Sequence, residues 1–163
     1  MRNALLDHLP MLRRYAHGLT GNRMDAEDLL QTTVLRAVEH ERAWRGTNGR
    51  AWLIAIMTNL NRNRLRGLAR RPALRPIEEH SELAAESAQS DPLLQNTLIR
   101  ALDTLPVEAR AVLLLVAIEG CSYREVADIL EIPIGTVMSR LSRARRQLAE
   151  ILGKRSITSM SNR

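Results

Sequence analysis

Midway along the chain the charge reverses sign, and that reversal divides what the chain can fold into. Asn61 to Arg75 carries six arginines and no acid, whereas Ile77 to Asp91 carries four glutamates, one aspartate and no lysine or arginine. The acidic stretch is rich in serine and alanine and flanked by prolines. It has little to bury, so it reads as a linker between two helical units. The expected organisation is a first unit over residues 1–71, a linker over 72–92, a second unit over 93–152 and a disordered tail over 153–163. A linker of this charge avoids DNA or lies in a basic channel.

Both units are expected to be helical. Aromatic residues make up 2% of the chain and phenylalanine is absent. The cores must therefore be leucine, isoleucine, valine, alanine and methionine, a palette that favours helices over sheets. No alternating strand pattern occurs, and 163 residues with 45% hydrophobic content are enough for real cores. The expected fold class is all-α: two small helical domains joined by a flexible acidic linker, the C-terminal one a four-helix helix-turn-helix unit.

In the first unit, Leu5, Leu9, Leu12, Ala16 and Leu19 recur at helical spacing, and Gly18, Gly21 and Asn22 mark the end of that helix. A second helix opens at Asp25 as N-cap, with Glu27 and Asp28 in the first turn, where the helix dipole favours negative charge. Ala26, Leu29, Leu30, Thr33, Val34, Ala37 and Val38 trace its inward face. Asp28, Gln31, Thr32, Leu35 and Arg36 are left outward. Leu35 is either an incidental exposed leucine or part of a docking surface. The stretch from Trp44 to Trp52 reads as a loop feeding a third helix that runs to about Arg66. Ala55, Asn59, Arg62 and Arg66 share one stripe of it, with Trp52 near the edge, opposite a face of Leu53, Ile56, Met57 and Leu60. A flat ring, an amide and guanidiniums on one side suit stacking of an unpaired base, hydrogen bonding to its edge and neutralisation of nearby phosphates. The alternative places Trp52 in the core and leaves the asparagines to solvate the helix end.

In the second unit, Ser90, Asp91 and Pro92 form a cap followed by an N1 proline, opening a helix with Leu94, Leu98, Ala101 and Leu102 inward. Leu105-Pro106 breaks it. A buried helix follows from Ala109 to Ile118 and ends at Gly120. Ser122 to Leu148 then reads as two helices joined by a turn at Glu131 to Pro133, because proline lacks a backbone donor and stops the first. Val137, Leu141, Ala144, Leu148 and Ile151 fall within about 80° on a helical wheel and make the buried stripe of the last helix. Ser139, Arg143 and Arg146 lie roughly opposite, flanked by Thr136, Arg140 and Ser142. Hydroxyls and guanidiniums on one rod suit a helix laid in a major groove; an ordinary helical hairpin with a solvated basic face is the plainer reading.

The formal charge is +6 and the pI near 10.8, with Lys154 the single lysine. Arginine suits bidentate phosphate and guanine contacts, although charge alone does not separate nucleic acid from acidic membranes or proteins. Cys121 is the single cysteine, so no intramolecular disulfide forms. No signal-like apolar run opens the chain, and no apolar segment approaches the roughly 20 residues needed to span a bilayer. A soluble protein of the reducing cytoplasm, with no membrane insertion, is expected. His8, His17, His40 and His80 show no metal-ligand spacing, and there is no P-loop, GxGxxG or clustered-cysteine pattern. Neither enzyme activity, nor a metal, nor a cofactor, nor a small-molecule substrate is expected.

Taken in order, DAEDLLQTTVLRAVEH, the tryptophan-bearing loop with AWLIAIMTNLNRNRLR, the acidic linker and the helix-turn-helix resemble the extracytoplasmic-function (ECF) sigma factors of the sigma-70 family. The resemblance covers about residues 5 to 152. It implies that the chain binds core RNA polymerase and promoter DNA, and that an anti-sigma factor controls it from outside the chain. It implies that Asp28, Gln31, Thr32, Leu35 and Arg36 contact the polymerase clamp helices, Thr32 standing where the family commonly has glutamate. It also places Trp52 and Asn59 at the minus-ten element, Asn59 towards a flipped-out base, with Arg62, Arg64 and Arg66 on the opened strand. Thr136, Ser139, Arg140, Ser142, Arg143 and Arg146 fall at the minus-thirty-five element. Many relatives carry basic and aromatic residues where this chain has Met138 and Ser142. Two other readings compete: a conventional helix-turn-helix repressor or activator, which leaves the Trp52, Asn59 and Arg62 stripe idle, and a sigma-like decoy for an anti-sigma factor, which needs no arginine-lined reading helices.

Overall fold

Seven α-helices carry the described residues of the computed structural model, namely 2–44, 48–70 and 92–160, and no strand occurs among them. Helices α1 (Arg2–Thr20), α2 (Arg23–Glu39) and α3 (Gly49–Ala69) form one lobe. Helices α4 (Pro92–Asp103), α5 (Val107–Ala117), α6 (Tyr123–Leu130) and α7 (Ile134–Met160) form the other. The all-α fold and the four-helix second unit follow from the aliphatic palette. Of the expected linker only Pro92 belongs to the described residues.

Three boundaries differ from the sequence expectation, each for a local reason. Helix α2 opens at Arg23, because Asn22 and not Asp25 is its N-cap: Asn22 Oδ1 accepts from the Asp25 backbone N–H at 2.8 Å, and its Nδ2 donates to Asp25 Oδ2 at 2.9 Å. Asparagine caps as well as aspartate, and Gly21, at φ +78, has already turned the chain one residue earlier. Helix α3 opens at Gly49, capped by Asn48, so Trp52 sits on the helix and not in the loop. The backbone of α7 continues through Gly153 to Met160, where a disordered tail was expected. One glycine costs a helix about 1 kcal/mol and does not stop it without a proline or a capping turn beyond.

Within the first lobe, Leu12, Tyr15 and Ala16 of α1 meet Leu29 and Leu30 of α2 and Leu53, Ile54 and Met57 of α3. Tyr15 is fully buried, and its hydroxyl lies 2.9 Å from Thr58 Oγ1, which satisfies the one polar atom the ring brings inside. Burial pushes its phenol well above the ordinary range, so it stays neutral. In the second lobe Leu114, Leu115, Val126 and Val137 make the corresponding centre. Each such side chain contributes about 1.5–3 kcal/mol by leaving water.

The two lobes pack directly on each other, α1 against α5 and α3 against α6, so that one apolar cluster runs through both. Arg110 of α5 holds the joint. Its Nε donates to the Gly18 carbonyl at 2.6 Å and its Nη1 to Asp103 Oδ1 at 2.6 Å, tying the end of α1 to α4 and α5. The fit is close: a Cβ on Gly18 would lie 2.9 Å from the Leu114 methyls, and one on Gly21 would lie 2.7 Å from Asp103 Oδ1. On the other side of the joint Glu119, with its side chain 2% exposed, faces Arg14 at 3.5 Å and Arg50 at 3.7 Å, and Arg50 also donates to the Glu119 carbonyl. Beside Arg110, burial and then the guanidinium hold the His17 imidazole below its ordinary pKa, and its Nε2 is buried without a hydrogen-bond partner among the described residues.

Arg110→Ala removes both links and is expected to loosen the joint, raising the radius of gyration in small-angle scattering while the helical circular dichroism is retained; an unchanged radius would show that apolar packing alone holds the lobes. Because the folded pKa of His17 is depressed, its neutral form favours the joint. That contribution is complete above the ordinary histidine pKa of 6.5, begins to fall below it, and is gone once the pH passes beneath the folded value. The urea midpoint is therefore expected to drop on acidification through this window, and His17→Gln to flatten that part of the pH profile.

Candidate nucleic-acid interface

The first surface is the outer side of α3. Its buried positions are Leu53, Ile54, Met57, Thr58 and Asn61, and on a 100° wheel Trp52, Asn59, Asn63 and Arg66 lie across the helix from them. Asn59, Asn63 and Arg66 are exposed, Trp52 is half-buried against the core, and Arg62 sits at the edge of the same face. Trp52 thus takes an intermediate place: its ring packs on the lobe and still borders the polar stripe. The loop before α3 is pinned at both ends. Asn48, at φ 44, accepts from the Ala51 N–H at 3.1 Å, and the Trp44 ring lies 3.4 Å from where a Gly49 Cβ would be.

Arg64 does not join this stripe. Its Nη1 is 2.7 Å from Asp25 Oδ2, with side chains 28% and 25% exposed, so it ties α3 to the start of α2. The position falls about 140° from Asn59 on the wheel, towards the neighbouring helix. Asn61 is also on the inner side, 1% exposed, with neither amide atom hydrogen-bonded among the described residues. It is a core position and not a solvated helix end.

The second surface is the outer side of α7. Ser122 caps α6 in a complete capping box with Glu125, whose carboxylate is held below its ordinary pKa by the Ser122 backbone and hydroxyl hydrogen bonds. Glu131, at φ 53, makes the turn in a left-handed conformation, and the Pro133 carbonyl accepts from Thr136 and Val137 to start α7. Val137, Leu141 and Ala144 are buried and fix the rotation of α7, while Gln147 Nε2 donates to the Thr104 carbonyl at 3.1 Å. This leaves Ser142, Arg143 and Arg146 exposed and Thr136, Ser139 and Arg140 partly exposed, as the periodicity expects. Ser139 Oγ donates to the Thr136 carbonyl at 3.1 Å, so its lone pairs face outward. Arg145 is exposed on the same helix, although it stands outside the arc opposite the buried stripe.

A third surface lies on α2. Asp28, Gln31, Thr32, Leu35 and Arg36 are all exposed, Leu35 at 64%. Val38, expected to point inward, is 50% exposed, because it stands more than about 120° from the centre of the Ala26, Leu29, Leu30, Thr33 and Ala37 face. With Met24 it extends a stripe of Met24, Asp28, Gln31, Leu35 and Val38 along the helix, a spacing of alternate three and four residues that suits packing against another helix.

Two lobes, a helix-turn-helix in one and a polar, arginine-bearing helix face in the other, define a two-module helical DNA reader. Residues 5–71 match Sigma-70 region 2 and residues 95–148 match Sigma-70, region 4. The ECF RNA polymerase sigma factor EcfG of Rhodopseudomonas palustris is 37% identical over 158 residues, covering 93% of this chain and 84% of that protein. The ECF RNA polymerase sigma factor SigE of Mycolicibacterium smegmatis is 37% identical over 156 residues, 91% of this chain, which spans 60% of SigE. Among solved structures, the sigma factor RpoE in complex with the anti-sigma factor NepR from Bartonella quintana superposes with a TM-score of 0.73 at 31% identity, over 93% of this chain and 96% of that one. The chain belongs to the ECF sigma factors of the sigma-70 family.

Arg66→Ala is expected to lower the slope of log affinity against log salt by about 0.7 when the polymerase-bound protein binds single-stranded DNA, the value of one lost phosphate contact. Arg64→Ala is expected to leave the slope unchanged and to cost up to about 1 kcal/mol of folding stability, as a partly exposed ion pair does. Equal slopes for the two variants would return Arg64 to the DNA.

Proposed function

We propose that the chain acts as an alternative sigma factor: it binds core RNA polymerase and directs promoter-specific initiation, the first lobe opening DNA at the minus-ten element and the second anchoring at minus-thirty-five. The observation that carries this reading is the joint presence of two arginine-bearing reading faces, on α3 and α7, in one chain that matches both sigma modules. A repressor uses only the second face, and a decoy uses neither.

In this reading Asn59 meets an unpaired base, Trp52 borders the stack, and Arg62 and Arg66 neutralise the adjoining phosphates. Thr136, Ser139, Arg140, Ser142, Arg143 and Arg146 meet the minus-thirty-five duplex, and the α2 stripe around Leu35 docks on the polymerase. Sigma factors supply no bond chemistry. Unpairing a few base pairs costs several kcal/mol, which stacking, pocketing and phosphate contacts must offset. Attachment of both lobes to one polymerase raises their effective concentration at the two elements, so two weak readers act as one strong one.

Geometry adds a requirement. About 25 base pairs at about 3.4 Å each put the two elements roughly 85 Å apart, whereas a packed chain of this size has a radius of gyration of only about 15 Å. The lobes must part at the Arg110 joint to read both elements, and residues 71–91, which join them, reach at most about 75 Å when extended. The protein works where the polymerase and the chromosome are, in the cytoplasm; no helix among the described residues is long and apolar enough to cross a membrane. An anti-sigma factor is the expected restraint, and RpoE was solved with one bound.

With core polymerase the chain is expected to support promoter-specific run-off transcription and, alone, to bind duplex promoter DNA only feebly. Tight duplex binding without transcription would instead make it a repressor. Asn59→Ala is expected to slow promoter opening without weakening the polymerase complex, and Leu35→Asp to weaken that complex at least about tenfold, as loss of a central apolar anchor does, with its helicity intact.

A further inference from the structure

The polar face of α7 has an apolar edge. Between residues 134 and 146 the exposed residues are Ile134, Gly135, Met138, Ser142, Arg143, Arg145 and Arg146. Two of these are large and apolar, Ile134 at 46% and Met138 at 50% exposed, one turn apart. Ile134, Met138, Ser142 and Arg145 fall within about 80° on the wheel, so the apolar pair continues directly into the hydroxyl and guanidinium strip. At Gly135 nothing lies within 4 Å of where a Cβ would be, which leaves the backbone at the start of this face open to close approach.

An apolar pair in water is a cost unless something covers it, and the chemistry around this one selects the occupant. Arginines at 143, 145 and 146 stand on the next two turns of the same rod, so the surface that arrives must be polyanionic. It must also present an apolar group at the depth a helix reaches. In the major groove the thymine C5-methyl is the one apolar group among the four unmodified bases, beside donors and acceptors that suit Ser142 and the arginines. Methionine is unbranched and polarisable and adapts to such a contact, and the β-branched Ile134 is a stiffer wall beside it.

We propose that Met138, backed by Ile134, reads a thymine methyl in the minus-thirty-five duplex, so that this sigma factor prefers thymine at one defined position of that element. The inference rests on the sigma-factor reading above and deepens it by assigning a base preference to a named side chain. The contact is purely apolar and forms no new hydrogen bond. Its size follows from one buried methyl, which corresponds to a change of about fourfold in affinity.

The test uses the full chain bound to core polymerase, transcribing a library of promoters randomised across the minus-thirty-five element, with the transcripts sequenced. The wild type is expected to select thymine at one position, and Met138→Ala to lose that preference alone while preferences at the other positions remain. Met138→Leu, which keeps an apolar side chain, is expected to retain it. Replacing the selected thymine by deoxyuridine, which removes only the methyl, should lower wild-type initiation about fourfold and leave Met138→Ala unaffected. No selected thymine, a thymine preference untouched in Met138→Ala, or indifference of the wild type to deoxyuridine each overturns the assignment. So does a Met138→Ala protein that keeps every base preference but loses a protein partner, which would make the pair a docking site. Absence of transcripts from every library member would sink the sigma-factor reading itself, and this inference with it.

Discussion

One guanidinium sets the arrangement of the whole molecule. Arg110 reaches from α5 to the carbonyl at the end of α1 and to the carboxylate at the end of α4, and the helices it joins belong to different lobes. A cation 7% exposed needs a countercharge and acceptors; two of the three Arg110 nitrogens find them, while Nη2 has no hydrogen-bond partner among the described residues. Asp103 supplies the countercharge and Gly18 the acceptor, and both glycines beside them permit the approach. The joint therefore combines the apolar cluster shared by the lobes with a directional polar contact. Glu119 and its two arginines repeat the pattern on the α3–α6 side, with longer ion-pair distances and more exposed guanidiniums.

That joint consumes one side of each lobe and leaves the working sides free. Helix α2 turns Ala26, Leu29 and Leu30 inward and its Met24 to Val38 stripe outward, α3 turns Ile54, Met57 and Asn61 inward and Asn59 and Arg66 outward, and α7 buries Val137 and Leu141 and presents its arginines. Each reading surface is therefore the necessary far side of a helix whose near side is core. The precision of a reading helix comes from the same packing: a recognition helix with Leu141 and Ala144 locked and Gln147 tied to Thr104 cannot rotate its serines and arginines out of register.

Where the sequence reading erred, it weighed one helix without its neighbours. Asp25 is a good cap in isolation, but Asn22 and Gly21 had already ended the previous turn, and Asp25 pairs with Arg64 of α3. Arg64 looks like its neighbours Arg62 and Arg66 by type, and only the position of α2 separates them. Asn61 is a polar residue among polar residues, and its burial follows from the rotation of α3 against the rest of its lobe. Tyr15 falls at helical spacing with Leu12 and Leu19, but the partner of its hydroxyl, Thr58, is supplied only by the packing of α3.

Periodicity and composition by themselves determined the all-helical fold, the outward set on α2 and α7 and the sigma-70 resemblance. All of these are encoded locally, in the 3.6-residue repeat, in prolines and caps, and in the block change of charge. Tertiary structure alone decided that the two lobes pack on one another through Arg110 and Glu119, and that Arg64 pairs with Asp25. It also decided that Ile134 and Met138 stand uncovered on the reading face. Those outcomes depend on contacts between residues up to 105 positions apart in the chain, such as Arg14 with Glu119, and a distance of that kind leaves no periodic mark in the sequence.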